Sequence, residues 1–227
     1  MENTREQHKD CPAPDQKSDA AGFFCSFPGV ACVEGKTPQQ AKRELYALCE
    51  EYPAVILTGV DEAAGTLLIT AFPEAEYDPT ARVFLVRPPE VRPSRVCIIA
   101  SGKEDLPGAL QARYALAACG AESTMIFTSA PWNAQSLTEL KERLSCAAAC
   151  IAVAGTDSAL PGMIAGLTQV PVIALPLTAQ KNNFLGGVMS LFGTLSSGAA
   201  GLTVVSVDNG VGAGFAAARI INSQLIK

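Results

Sequence analysis

Three carboxylates stand where apolar runs break into glycine-bearing loops: Glu104 and Asp105 in SGKEDLPG, and Asp157 in AGTDSALPG. A carboxyl group partly withdrawn from water has a raised pKa and can pass protons near neutral pH. These three are therefore the candidate catalytic acids and bases. Beside them and in later loops, Ser101, Gly102, Gly155, Gly186, Gly187, Asp208, Asn209 and Gly210 offer small or glycyl backbone that a ligand can approach closely. Several of these loops open helices, whose free N–H groups and positive dipole end attract phosphate. The combination points to a phosphorylated nucleotide. Asp105 is also placed to cap the helix that follows it. Lys103 and Lys181 can offset phosphate charge or simply be solvated, and Trp132 can stack on a ring or pack in the core.

Sulfur and imidazole chemistry are poorly supplied. The chain has eight cysteines and a single histidine, His8. Cys146 and Cys150 are four residues apart among alanines and isoleucine, and read as buried small hydrophobes, as does Cys97; no metal-ligand set emerges. The stretch LTVVSVDNGVGAGFAAARIIN has the strand, glycine turn and helix of a dinucleotide-binding loop. Its glycines, Gly210, Gly212 and Gly214, are spaced G-x-G-x-G instead of G-x-G-x-x-G, so it is not that fingerprint.

The elements that position these loops follow from periodicity. From Arg95 onward, apolar strand candidates VCIIAS (96–101), STMIFTS (123–129), CIAVAG (150–155), PVIALP (171–176) and LTVVSV (202–207) alternate with helical stretches near 105–119, 134–148, 159–168, 183–196 and 212–225. Uninterrupted apolar strands separated by helices predict an α/β fold, a parallel sheet covered on both faces in three layers. Ligands in such sheets sit at the carboxyl ends of the strands, where the loops above lie. Before this comes a smaller α+β unit, 22–93, with an amphipathic helix that Thr37 caps and Pro38 starts, then strands at AVILTG, TLLITAF and ARVFLVR. Residues 1–21 are polar and aperiodic and predict a disordered tail; 94–227 form the main domain.

Composition removes several function classes. A net charge of −5 without any Lys/Arg cluster argues against nucleic acid and anionic membrane as partners. The longest apolar stretch, Ala159 to Leu177, is cut by Pro161, Pro171 and Pro176, so no membrane span is expected. The polar N-terminus carries no apolar signal region, which predicts a cytoplasmic protein with reduced thiols.

AGTDSALPGMIAG, PVIALP, the Gly186-Gly187 pair and TVVSVDNGVGAG occur in the order found in the carboxylating synthases of nickel-pincer cofactor biosynthesis, the LarB family. The chain resembles that family and, more distantly, the carboxyaminoimidazole ribonucleotide mutases, PurE. FPGVACVEGKTPQQ and AEYDPTAR look like the synthases' N-terminal segments, so the resemblance runs from about Ser26 to Asn222. It implies a PurE-like, flavodoxin-like sheet and a homo-oligomeric enzyme that adds CO2 to the pyridine ring of nicotinic acid adenine dinucleotide and hydrolyses its phosphoanhydride. Nucleotide and CO2 or bicarbonate are then substrates, Mg²⁺ is the one candidate cofactor, and no organic cofactor is expected.

The resemblance also implies a nucleophile, because an electron-poor pyridinium does not attack CO2 until a thiolate has added to it. The family's cysteine lies in an N-S-C-A segment, which here is Ser196-Ser197-Gly198-Ala199, with Gly198 at the cysteine position. A first-loop Ser-Asp pair becomes Glu104-Asp105, a second-loop His-Arg pair becomes Gln135-Ser136 or Pro131-Trp132, and the mutases' A-H-L-P-G-M becomes Ala159-Leu160-Pro161-Gly162-Met163 preceded by Ser158. Asp157 keeps the acidic position of its loop. The expectation is a nucleotide carboxylase impaired at the bond-making step. The alternatives are a non-catalytic nucleotide-binding paralogue, or a carboxylase or mutase of an aminoimidazole ribonucleotide.

Overall fold

Apolar strands that need cover on both faces, and helices with one apolar side, resolve here into two sheets. The computed structural model describes residues 27–128, 132–155, 159–178 and 184–223; the expected disordered tail lies outside them. The smaller unit runs β1 (Gly29–Cys32), α1 (Pro38–Glu51), β2 (Val55–Thr58), α2 (Glu62–Ala71), β3 (Glu76–Asp78) and β4 (Val83–Val86). The larger runs β5 (Arg92–Ala100), a 3-10 turn at Lys103–Asp105, α3 (Leu106–Ala118), β6 (Ala121–Phe127), α4 (Ala134–Leu144), β7 (Ala149–Ala154), α5 (Leu160–Leu167), β8 (Val172–Pro176), α6 (Phe184–Leu195), β9 (Leu202–Val204) and α7 (Gly210–Ser223).

The main sheet is parallel throughout, in the order β6-β5-β7-β8-β9. All residues of β7 and β8 are buried, as a strand sandwiched between helix layers must be. Ile98, Ile151 and Ile173 face α3 and α7 through Ala112, Leu116 and Ala217. Cys97, Ile99 and Cys150 face the other layer, where Leu140, Leu144, Leu160 and Ile164 close the core. The strand order reverses direction between β5 and β7. That topological switch opens a crevice at the carboxyl ends of those strands.

The small sheet has the order β1-β2-β4-β3 and is mixed, with β1 parallel to β2 and the other pairs antiparallel. The cap predicted for α1 is formed: Thr37 Oγ1 accepts from Gln40 N at 3.3 Å, and Gln40 Oε1 accepts from Thr37 N at 2.8 Å. Ile56, Val83 and Leu85 pack on Ala115 and Ala118 of α3 and on Val211 of α7, so the two units share a core.

One predicted strand is a helix. TLLITAF lies largely within α2, where Asp61 caps by accepting from Ala64 N at 2.7 Å and the buried side is Ala64, Gly65 and Leu68. The β-branched Thr66 and Thr70 are exposed, and their hydroxyls donate to the carbonyls of Glu62 and Thr66 at 2.9 Å each. Cap and burial period outweigh strand propensity here. β9 is also shorter than LTVVSV, although Val205 N still donates to Ala174 O and Asp208 N to Pro176 O.

The glycines of VGAG have a packing role. A Cβ at Gly210 would lie 2.6 Å from Gly108 O, and one at Gly214 2.5 Å from Ala112 O. Spaced four apart on α7, they let it touch the backbone of α3. Gly214→Ala therefore lowers stability by about 1–3 kcal/mol through overpacking, even though alanine is the better helix former. Gly166→Ala on α5 meets nothing within 4 Å and raises stability by up to about 1 kcal/mol. Urea titrations of the two variants give opposite signs.

Candidate functional site

Backbone leaving the switch-point strands turns at once, and a carboxylate fixes the turn. Asp105 is 0% exposed. Its Oδ2 accepts from Ser101 N at 2.9 Å, Ser101 Oγ at 2.7 Å and Gly102 N at 3.2 Å. Its Oδ1 lies against Gly155, at a distance a Cβ there would not allow. Gly155 is glycine because the loop after β7 presses on the carboxylate of the loop after β5. The expected cap of α3 is not formed, since the first turn of that helix receives no bond from the Asp105 side chain, which ties down its own loop instead. With three donors gathered on Oδ2, this side chain holds the loop. Glu104 and Lys103 beside it are exposed. Asp157 and Lys181 lie outside the described residues.

A second carboxylate fixes the far side. Asp208 sits in the left-handed region at φ 58°. Its Oδ1 accepts from Thr178 N at 2.8 Å and its Oδ2 from Thr178 Oγ1 at 2.7 Å, which ties the loop after β9 to the loop after β8. A Cβ at Gly187 would stand 2.6 Å from the same Thr178 Oγ1, so α6 starts against this clamp. Gly186 lies in the first turn of α6. Asn209 Oδ1 accepts from Gly212 N at 2.8 Å and caps α7. Gly210 is taken up by the α3–α7 contact. Ser101, Gly102, Gly155, Gly187, Asp208 and Asn209 are thus brought to the carboxyl edge of one sheet.

Other sequence candidates resolve into structural roles. Trp132 packs on the layer of Ile99 and Leu140. Ser136 completes a capping box with Asn133, accepting from Asn133 N at 3.0 Å and donating its own N–H to Asn133 Oδ1 at 2.9 Å. Gln135 Nε2 donates to Glu139 at 2.9 Å. In AEYDPTAR, Asp78 Oδ1 accepts from Thr80 N at 2.8 Å and Ala81 N at 2.9 Å, and its Oδ2 from the Tyr114 hydroxyl at 3.3 Å.

The loop holding Gly198 rests on α5: a Cβ at Gly162 would meet Ser197 Oγ at 2.7 Å. Gly162 is in the first turn of the helix that the loop carrying Asp157 leads into. Gly198 itself is exposed, and a Cβ built on it meets nothing within 4 Å.

Burial pushes the thiols of Cys119 and Cys150 up to about 12 and raises that of Cys97 against the weaker opposing pull of Arg143. A thiol so shifted is protonated at neutral pH and inert as a nucleophile. Cys146, expected to be buried, is exposed just beyond α4, and Cys32 is exposed at the end of β1. Among the described residues no three His, Cys, Asp or Glu side chains converge on a point where a metal would sit. Asp105 and Asp208 direct oxygens at loop donors, so the described donor set does not fit a resident Mg²⁺. No helix among the described residues is long and apolar enough to cross a membrane. Iodoacetamide at neutral pH should label Cys32 and Cys146 in the native protein and reach Cys119 and Cys150 only after denaturation; peptide mass mapping reads the difference.

Residues 95–225 match the family model described as AIR carboxylase. A stretch of 130 residues is 32% identical to the N5-carboxyaminoimidazole ribonucleotide mutase of Thermotoga maritima, covering 56% of this chain and 74% of that one. The mutase of Aquifex aeolicus is 40% identical over 74 residues, 32% of this chain and 42% of its own. An uncharacterised protein of Methanocaldococcus jannaschii is 30% identical over 122 residues, 53% of this chain and 46% of its own, so the match spans about half of that relative.

Proposed function

The chain belongs to the AIR carboxylase family, and from that premise we propose that it binds a nucleotide at the carboxyl edge of its sheet as a carboxylase of the nickel-pincer synthase type impaired at the bond-making step. The substrate proposed is nicotinic acid adenine dinucleotide, with CO2 or bicarbonate as the second reactant. The observation that carries this reading is the contrast between a fixed cradle and an open position 198. Asp105 and Asp208 hold four loops at the strand ends, and the glycines among those loops fit their neighbours closely. Position 198, where the synthases carry their thiol, has free space and no side chain.

The chemistry makes that position decisive. CO2 takes an electron pair from a ring carbon, and a pyridinium has none to give until a nucleophile adds and leaves an enamine-like ring. Losing a covalent nucleophile costs on the order of 10⁶ in rate, about 8 kcal/mol of barrier. Ser197 Oγ accepts from Ala199 N at 3.4 Å, and no base is hydrogen-bonded to it among the described residues. Asp105 acts as a positioning residue, and proton transfer falls to Glu104 and Asp157.

A second reading takes its support from the two mutase relatives. An aminoimidazole ring is electron-rich and meets CO2 without a thiolate, but it needs a proton shuttle, and among the candidates only carboxylates can supply one. Assays with an aminoimidazole ribonucleotide in place of the dinucleotide test it.

Homo-oligomer formation is proposed on α6, where Met189, Phe192 and Leu195 are 67%, 59% and 58% exposed. Spaced three apart, they form one apolar stripe, and a second copy of the chain is the occupant proposed. Phe192→Glu should convert the oligomer to monomer in light scattering; a wild-type monomer refutes the assembly.

Carboxylation of nicotinic acid adenine dinucleotide, followed by mass spectrometry of the product, tests the main reading. The wild-type chain should be inert or very slow, and Gly198→Cys, which fits without displacing a neighbour, should be faster by orders of magnitude. Wild-type turnover at an ordinary enzymatic rate, or a Gly198→Cys variant that binds the dinucleotide and gains nothing, overturns it.

A further inference from the structure

The small unit and the last strand end border a half-open cavity of about 400 Å³, within the range of about 300–1,000 Å³ typical of small-molecule sites. One wall is β1 with the turn after it, the second is the Gly59 turn with Arg82, and the third is Gln111 with the Asp208–Val211 start of α7. Three residues in the left-handed region converge on it: Gly59 at φ 72°, Arg82 at 53° and Asp208 at 58°. Arg82 and Asp208 are not glycines, and such strain gathers where surrounding structure holds a site in shape. Gly59 is required there, since a Cβ would lie 2.8 Å from Glu34 N.

These contacts fix the polar groups and leave part of each free. Arg82 Nη1 donates to Glu34 Oε1 at 2.8 Å and Nη2 to Gly59 O at 3.1 Å. Those bonds use two of the five N–H donors of a guanidinium, which suits the remainder to a phosphate. The start of α7 lines the same space, where the Asp208 carboxylate is engaged by Thr178 and Asn209 Oδ1 caps Gly212 N. Gln111 Nε2 donates to Ala81 O at 3.1 Å, which leaves its carbonyl oxygen as an acceptor, as is Glu34 Oε2, for hydroxyl or amino groups. Val30 and Val211 supply apolar contact for a flat ring. The geometry points to this cavity as a binding site for a nucleoside 5′-phosphate, the second nucleotide of a dinucleotide whose first lies at the switch point. This assignment rests on the dinucleotide reading above and extends the site from the sheet into the small unit.

Cys32 is exposed and lines the cavity, which makes its alkylation a footprint. The full wild-type chain is treated with N-ethylmaleimide in the presence of AMP, nicotinic acid adenine dinucleotide or nicotinic acid mononucleotide, and labelling of each cysteine is mapped by mass spectrometry. AMP and the dinucleotide, at about ten Kd, should slow Cys32 labelling about tenfold, the mass-action ratio of total to free sites. The mononucleotide should leave it unchanged, and exposed Cys146 should react alike in every arm. Val30→Trp fills the cavity from an exposed strand position and should abolish protection by AMP with an unchanged melting temperature; Arg82→Ala should weaken it. If the dinucleotide binds calorimetrically while neither it nor AMP protects Cys32, or if Val30→Trp keeps the protection, the cavity assignment falls and the dinucleotide reading stands. If no nucleotide binds, both fall.

Discussion

A carboxylate withdrawn from water has to be met by donors, and at the carboxyl edge of this sheet one such group, Asp105, together with the exposed Asp208 decides where the loops go. Asp105 gathers the amides of Ser101 and Gly102 and the Ser101 hydroxyl on one oxygen, and its other oxygen forces the neighbouring loop to be glycine at 155. Asp208 performs the matching task across β8 and β9 through Thr178. The crevice between β5 and β7 exists because of strand order; its shape exists because these charges are compensated locally. The buried charge of Asp105 is costly to strip of its partners, so the loop after β5 is held in one arrangement before any ligand arrives.

The structure fixes tightly the loop amides and the clamp at the strand ends, while the close contact of Gly210 and Gly214 joins α7 to α3. What pyridine carboxylation demands in addition is an electron pair from sulfur, and the thiols of half-buried Cys119 and buried Cys150 are held protonated by desolvation. Gly198 is open where a side chain could stand. A chain can lose a nucleophile there without disturbing its fold, because nothing packs on that position.

Much of this was legible in the sequence for a specific reason. Strands covered on both faces are continuous apolar runs, so the buried half of β5 and all of β7 and β8 could be read directly, and the loops after them followed from the polarity of parallel strands. α2 was not, because Thr66, Ile69 and Thr70 mimic a strand while the Asp61 cap and the burial of Ala64, Gly65 and Leu68 set a helix. The glycines of VGAG signalled close backbone approach correctly but not its partner, which is α3. Asp105 was visible as an acid, whereas the three donors gathered on its Oδ2 are a matter of distances. The cavity beside β1 was not visible, since Glu34, Gly59, Arg82, Gln111 and Asp208 meet only through the packing of two units.

A crystal of the wild-type chain soaked with nicotinic acid adenine dinucleotide and bicarbonate tests most directly the central claim that a nucleotide cradle survives here without its nucleophile. The expected density places the dinucleotide at the carboxyl ends of β5 and β7, with an intact, uncarboxylated pyridine ring and no bond to sulfur. A cysteine Sγ bonded to a ring carbon, or a carboxylated ring in the site, contradicts it.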